Sequence, residues 1–203
     1  GKPMVDSRSP ALDVVDSKDT VLLKSIDGST QSVKIMMEKE SPEMLIPLPQ
    51  KWTMWAHSIK NRNWTIDSYY NLFTISTIQD FWRIFNNLQY LGFWNWHLYF
   101  MSEGIYPLWE DPHNRDGGIF SFKIELTKTP EILTDLAICL VTNNMHSKDP
   151  NEITGISISP KNMSAIIKLW TRTNNDPIKY LPKSIMDKYG DCSTKYTPNI
   201  PEY

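Results

Sequence analysis

The chain has few cysteines, no long apolar run and little net charge, and each lack removes a class of explanation. Its two cysteines, Cys139 and Cys192, stand far apart in 203 residues, which suits neither a disulfide framework nor the paired spacing of a zinc site. A reducing compartment is therefore expected, the cytoplasm first and the nucleus second. No run of about 18 apolar residues occurs, so no membrane span and no membrane partner are expected. A basic-then-apolar leader is also missing, and no signal peptide is expected. A net charge of −2 argues against a protein that coats nucleic acid by bulk electrostatics. Any nucleic-acid contact has to be local. Acidic residues outnumber basic ones over 99–154, and the reverse holds over 155–203.

Catalytic groupings are missing too. There is no nucleophile–histidine constellation and no cluster with metal-ligand spacing, so neither an enzyme nor a cofactor is expected. Glu110 and Asp111 do not make an acid/base pair, because adjacent carboxylates on a strand point to opposite faces.

What the chain does have is aromatic surface. Eight Trp and nine Tyr exceed the obvious need of one core, although the length suffices for a single domain that buries a real core without staples. The stretch from Tyr99 to Gly118 concentrates the chemistry. Trp109 is followed directly by Glu110 and Asp111, after Pro107 and before Gly117-Gly118. An indole can stack on a base while a neighbouring carboxylate accepts two N–H bonds from a guanine edge. The plainer alternative is a core Trp at a strand end with two solvated turn acids. Trp64 sits among polar residues, Asn61 to Ser68, and reads as exposed, whether as a binding face or as an ordinary surface aromatic capping the sheet.

Taken in order, residues 1–45 mix Asp, Ser and Lys with little apolar content, and they read as a disordered N-terminal tail. Pro42, Pro47 and Pro49 mark the entry to a domain over 46–203. Lys51–Ile59 suits a first strand, in which Trp52 and Trp55 have opposite parity and cannot both face the core. Tyr69–Ile75 reads as a second. Thr77 and Asp80 have the spacing of a helix cap, and the apolar positions from Ile78 to Leu91 recur at three and four residues, with Gly92 as the stop. Ile78 and Trp82, one turn apart, lie at the margin of that stripe and suit a partner surface.

Trp94 to Met101 is strand-like, and Ile119–Leu126 alternates Phe120, Phe122, Ile124 and Leu126 against Ser121, Lys123 and Glu125. Thr129-Pro130-Glu131 starts a second helix. Ile153–Ser159 and Ala165–Arg172 read as a hairpin whose second strand carries Lys168, Trp170 and Arg172 on one face. Pro177–Tyr189 reads as a third helix, interrupted at Pro182 and stopped at Gly190, with a polar strand or tail beyond. One-sided strands interrupted by helices indicate an α+β fold: an antiparallel sheet with three helices on one face.

These residues resemble the cap-binding translation initiation factor 4E family. The motifs are Pro47-Leu48, Trp52-Thr53-Met54-Trp55, Trp64, Gln79-Asp80-Phe81-Trp82, Glu103-Gly104-Ile105, Pro107-Leu108-Trp109-Glu110-Asp111 with Gly117-Gly118, and Leu169-Trp170-Thr171, in the family's order over roughly 46–175. The resemblance implies a curved antiparallel sheet with three helices on the convex face and the messenger RNA cap on the concave one. Trp64 and Trp109 would sandwich 7-methylguanine, Glu110 would accept its N1–H and amine, and Trp170 would touch the N7-methyl. Lys161 would take the triphosphate. Pro47, Ile78 and Trp82 would receive the helical peptide of a scaffold initiation factor or a repressor. Residues 46–203 would be the cap-binding domain.

The chain departs from the family at Ile119-Phe120, where a basic residue and Trp are usual, at Ile166 in place of a usual Lys of the phosphate site, and at Thr134 in place of an apolar partner contact. Lys168 and Arg172, on the face of Trp170, are the expected substitutes for the missing cation, Arg172 the lesser of the two. Alternatives to a translation initiation factor are a family paralogue acting as translational repressor or storage factor, and a sugar-binding protein using the two Trp residues as platforms.

Overall fold

A computed structural model describes residues 44–92, 94–189 and 194–200, together with the backbone of 12–14, 20–24 and 30–34. Most of the expected tail over 1–45, the stop at Gly190 and Cys192 lie outside the described residues. Within the tail, β1 (Leu12–Val14), β2 (Thr20–Lys24) and β3 (Thr30–Lys34) pair as a small antiparallel sheet, with Val21 opposite Val33. The sequence reading expected no strands there.

The main sheet contains β4 (Pro47–Ser58), β5 (Tyr70–Thr77), β6 (Trp96–Ser102), β7 (Gly118–Glu125), β8 (Ile153–Lys161), β9 (Ser164–Thr171) and β10 (Thr194–Pro198), in the spatial order β10-β7-β9-β8-β6-β4-β5. Every pairing is antiparallel. The period-2 alternation decides which residues meet which layer. Trp52, Met54 and Ala56 of β4 join Leu98 and Phe100 of β6, Ile156 and Ile158 of β8, Ile167 and Leu169 of β9 and Phe120 and Phe122 of β7 in one large core. On the other face, Tyr99, Met101 and Trp170 form a second, smaller cluster, with Trp55 and Ile119 packed against it. Trp52 and Trp55 therefore do part to opposite faces.

Three helices supply the other side of the large core: α1 (Ile78–Phe85), α2 (Thr129–Val141) and α3 (Lys183–Tyr189). Phe81, Ile84 and Phe85 of α1, Leu133, Leu136 and Leu140 of α2, and Ile185 of α3 are all buried in it. The curved seven-stranded sheet with its three helices is the α+β architecture that the alternation implied.

Local signals set the helix ends. Thr77 caps α1 by accepting from the Asp80 amide at 3.0 Å, and the Asp80 carboxylate accepts from the Thr77 amide at 3.2 Å. Such reciprocal capping stabilises a helix start by about 1 kcal/mol. The apolar stripe beyond Phe85 does not continue as α-helix. Asn86 ends α1, and a 3-10 turn over Leu88–Leu91 carries the chain to Gly92, which has φ +67°. Thr129 lies inside α2, whose cap position is Lys128. Pro182 separates a 3-10 turn (Pro177–Tyr180) from α3, as the sequence implied.

Candidate functional site

Opposite the helices, the concave face holds a cleft of about 460 Å³ lined by Trp64, Tyr69, His97, Tyr99, Pro107, Leu108, Trp109, Glu110, Ile119, Ser157, Ser159, Lys168, Trp170, Pro198 and Asn199. Strand register builds its floor row by row. Lys168 stands opposite Ser157, Ser157 opposite Tyr99, and Tyr99 opposite Trp55. In the adjacent row His57 stands opposite His97, whose Nδ1 lies 2.7 Å from Ser159 Oγ.

Two loops bring the walls. Trp64 lies in the 59–69 connection and Trp109 in the 103–117 connection, and each indole is half exposed, 49% and 51%. Half-exposed indoles on a concave surface are unusual for a side chain whose burial is worth several kcal/mol. Side-chain contacts connect one wall to the floor: Trp64 packs on His57, His57 on Tyr69, Tyr69 on Tyr99, and Tyr99 edge-on against Trp170.

The second loop is built around Asp111. Its carboxylate accepts from the Tyr106 amide at 2.9 Å and the His113 amide at 2.8 Å, and Asp111 is only 6% exposed. Asn114, fully buried, donates from Nδ2 to the carbonyls of Tyr106 and Leu108, and its Oδ1 accepts from Thr154 Oγ1 at 2.7 Å. The C-terminal segment closes this side, with the Asn199 amide donating to the Gly117 carbonyl and its Nδ2 to that of Asn114. Trp109 and Glu110 are therefore held in a turn, not on a strand. Glu110 faces out beside Trp109 and makes no hydrogen bond among the described residues, leaving both oxygens available.

The glycines here serve two purposes. Gly104, with φ +85°, turns the chain out of β6. Gly117 instead permits close approach, since a Cβ there would lie 1.7 Å from the Thr171 carbonyl oxygen. Neither Gly117 nor Gly118 has a positive φ, so neither is there for a left-handed turn.

Electrostatics separate the cleft into a neutral floor and two charged positions. Burial, then the neighbouring His57 and Lys168, push His97 down to about 4, so its imidazole is neutral at physiological pH. Burial pushes Tyr69 up to about 12 and Tyr99 well above its ordinary value, so both phenols keep their protons. Among the described lining residues Glu110 is the one carboxylate and Lys168 the one ammonium. Burial lowers the Lys168 pKa, and among the described residues it makes no ion pair or hydrogen bond that would counter this.

Of the residues expected from sequence, Trp64, Trp109, Glu110, Lys168 and Trp170 come together here. Trp170 contributes mainly an edge, being 6% exposed with its indole N–H donating to Ser157 Oγ at 3.0 Å. Lys161 is exposed at the β8–β9 turn, on the parity of Ser157 and Ser159, and does not line the cleft. Sequence reasoning missed His57, Tyr69, His97, Ser157 and Ser159. The polar positions of β8 alternate with Ile156 and Ile158 and were legible as one face; the histidines became neighbours only through non-local pairing.

On the helix side, Trp82 is 41% exposed beside Ile78 at the start of α1. Pro47 pairs with Thr77, and the Ile78 amide donates to the Ile46 carbonyl at 2.8 Å, which brings the exposed side chains of Ile46 and Pro47 up to the same helix start. Thr134, on α2, turns its hydroxyl to the Pro130 carbonyl at 2.8 Å.

The family described as Eukaryotic initiation factor 4E matches residues 47–193. The chain is 28% identical to eukaryotic translation initiation factor 4E-3 of Caenorhabditis elegans over 64% of its own length, and it spans 56% of that relative. It is 28% identical to eukaryotic translation initiation factor 4E of Candida albicans over 73% of this chain and 75% of the relative. Among solved structures, the C. elegans factor in complex with the 4E-binding protein Mextli and a cap analogue superposes with a TM-score of 0.66 at 22% identity, covering 76% of this chain and 92% of that one. A schistosome factor complexed with m7GpppG and a 4E-binding protein gives 0.64 at 19% identity, covering 77% and 90%.

Proposed function

The chain belongs to the eukaryotic initiation factor 4E family, and on that premise we propose that residues 46–203 act as a cap-binding domain. The cleft takes the 7-methylguanosine cap of messenger RNA, and the far side takes a helical peptide of a scaffold initiation factor or a repressor. The observation that carries the reading is the placement of two half-exposed indoles, Trp64 and Trp109, on the walls of one cleft with the carboxylate of Glu110, which makes no hydrogen bond among the described residues.

Methylation at N7 leaves a delocalised positive charge on the base. Electron-rich indole faces favour that cation over plain guanine, because cation–π attraction adds to stacking. Glu110 accepts from the N1–H and the exocyclic amine. A stacked base is worth about 1–3 kcal/mol per aromatic and a hydrogen bond to a charged group about 1.5–3 kcal/mol. Trp64, Trp109 and Glu110 can thus account for most of the selectivity. Lys168, the ammonium of the cleft, meets the nearest phosphate, and Lys161 at the hairpin turn meets the more distant ones. Trp170 offers its edge to the N7-methyl.

Pro47, Ile78 and Trp82 form the partner surface. An indole left exposed beside an apolar neighbour at a helix start suits the anchors of an amphipathic helix. Retention on a 7-methyl-GTP matrix, with elution by 7-methyl-GTP and not by GTP or by glycans, tests the cap reading against the sugar-platform alternative.

A further inference from the structure

The imidazole of His57 is fully buried on β4 and lies against Trp64 with ring centroids 4.0 Å apart and planes 9° from parallel. Trp64 belongs to a polar loop and is half exposed, so its own segment gives little to fix the indole plane. His57 supplies both a face and a tether. Its Nε2 lies 2.7 Å from the Asn63 carbonyl and 3.1 Å from Ser68 Oγ. Ser68 Oγ in turn reaches the carbonyls of Asn63 and Thr65, at 2.5 and 2.7 Å. A carbonyl can only accept, so Nε2 carries a proton and donates to the loop, while Nδ1 has no hydrogen-bond partner among the described residues.

Asn61 and Asn63 add side-chain turns at the amides of Asn63 and Thr65, each near 3 Å. His57 therefore ties the loop bearing Trp64 to the sheet from directly beneath the indole, while Tyr69 and His97 meet the same indole only at a tilt, with ring centroids 6.3 and 5.5 Å away.

We infer that His57 is a positioning residue for Trp64: it sets the indole flat from below, occupies one of its faces and leaves the other as a preformed platform for the ligand base. This deepens the cap-binding reading and rests on it. In the loaded cleft the layers run His57, Trp64, base, Trp109. Fixing a loop side chain beforehand removes an ordering cost that would otherwise oppose binding.

The test compares His57→Phe, which keeps a flat ring in the same space, with His57→Leu, which fills the space without a plane. Both are measured against the wild-type chain by thermal melting, by 7-methyl-GTP and GTP titration, and by hydrogen exchange of amides 63–69 without ligand. The expectation is that His57→Phe stays within about 3-fold of wild type in 7-methyl-GTP affinity while His57→Leu loses about 10-fold or more at a similar melting temperature, the scale of one poorly oriented stacking partner. Faster loop exchange should accompany the loss in His57→Leu. Equal binding by the two variants, with equal loop exchange, overturns the inference. If the wild-type chain itself does not distinguish 7-methyl-GTP from GTP, the cap reading fails instead, and unequal loop exchange between the variants would still show that His57 orders the Trp64 loop.

Discussion

Glu110 and Asp111 are neighbours in the chain with opposite duties. Asp111 turns inward and holds the 103–117 loop through the amides of Tyr106 and His113, while Glu110 stands exposed in the cleft without a hydrogen bond among the described residues.

This division separates binding from folding. Glu110→Gln should weaken 7-methyl-GTP binding by about 10-fold or more, the worth of hydrogen bonds to a charged acceptor, with no change in melting temperature. Asp111→Ala takes the carboxylate acceptor from the part-buried amides of Tyr106 and His113, at up to about 1–3 kcal/mol each. It should lower the melting temperature by several degrees, since 1 kcal/mol shifts a chain of this size by roughly 2–4 °C. Paired titrations and thermal melts read both. A Glu110→Gln chain that melts early but binds normally would reverse the assignment.

Trp82→Ala should abolish binding to an amphipathic helical peptide and leave 7-methyl-GTP affinity intact, because Trp82 lies on the helix side, away from the cleft. Isothermal titration with each ligand decides it. Comparable losses for both ligands would make Trp82 a fold residue.

The phosphate side predicts a charge dependence. Lys168→Ala should cost more affinity for 7-methyl-GTP than Lys161→Ala, and it should flatten the salt dependence, because Lys168 lines the cleft and Lys161 stands outside it. Neither variant should much affect 7-methylguanosine, which has no phosphates. An unchanged salt slope in Lys168→Ala would remove it from the phosphate site.

His97 makes stability depend on pH. Its folded pKa of about 4 lies below the ordinary 6.5, so below pH 6.5 the unfolded chain takes up the proton more readily. Stability is then lost as pH falls from about 6.5 toward 4, by up to about 3 kcal/mol from this group. His97→Gln, which cannot titrate, should lose less stability than wild type over that range. Denaturant midpoints at pH 7 and pH 5 give the comparison, and parallel losses in the two chains would contradict it.

Alternation made most of the fold legible. Phe120, Phe122 and Ile124 against Ser121 and Lys123, and Ile167 and Leu169 against Lys168 and Trp170, assigned both layers correctly because a one-sided sheet imposes period 2 directly. The start of α1 was legible at Thr77, where capping chemistry marks it; its end at Asn86 was not, because the apolar stripe runs on into the 3-10 turn that Gly92 closes while the α-helical hydrogen bonds stop. Strand alternation is not what parts Glu110 from Asp111: the segment is a turn, and hydrogen bonds from the Tyr106 and His113 amides hold Asp111 inward. His57 gave no sign in the sequence, because its role depends on Trp64, seven residues away across a loop whose path no local pattern fixes.

The most direct test of the cleft is intrinsic-fluorescence titration of the chain with 7-methyl-GTP and with GTP at one salt concentration. With Trp64 and Trp109 stacking on the base, 7-methyl-GTP should quench tryptophan emission and bind at least about 10-fold more tightly than GTP, the difference being the cation–π attraction that only the methylated base provides. Equal affinities for the two nucleotides would contradict it.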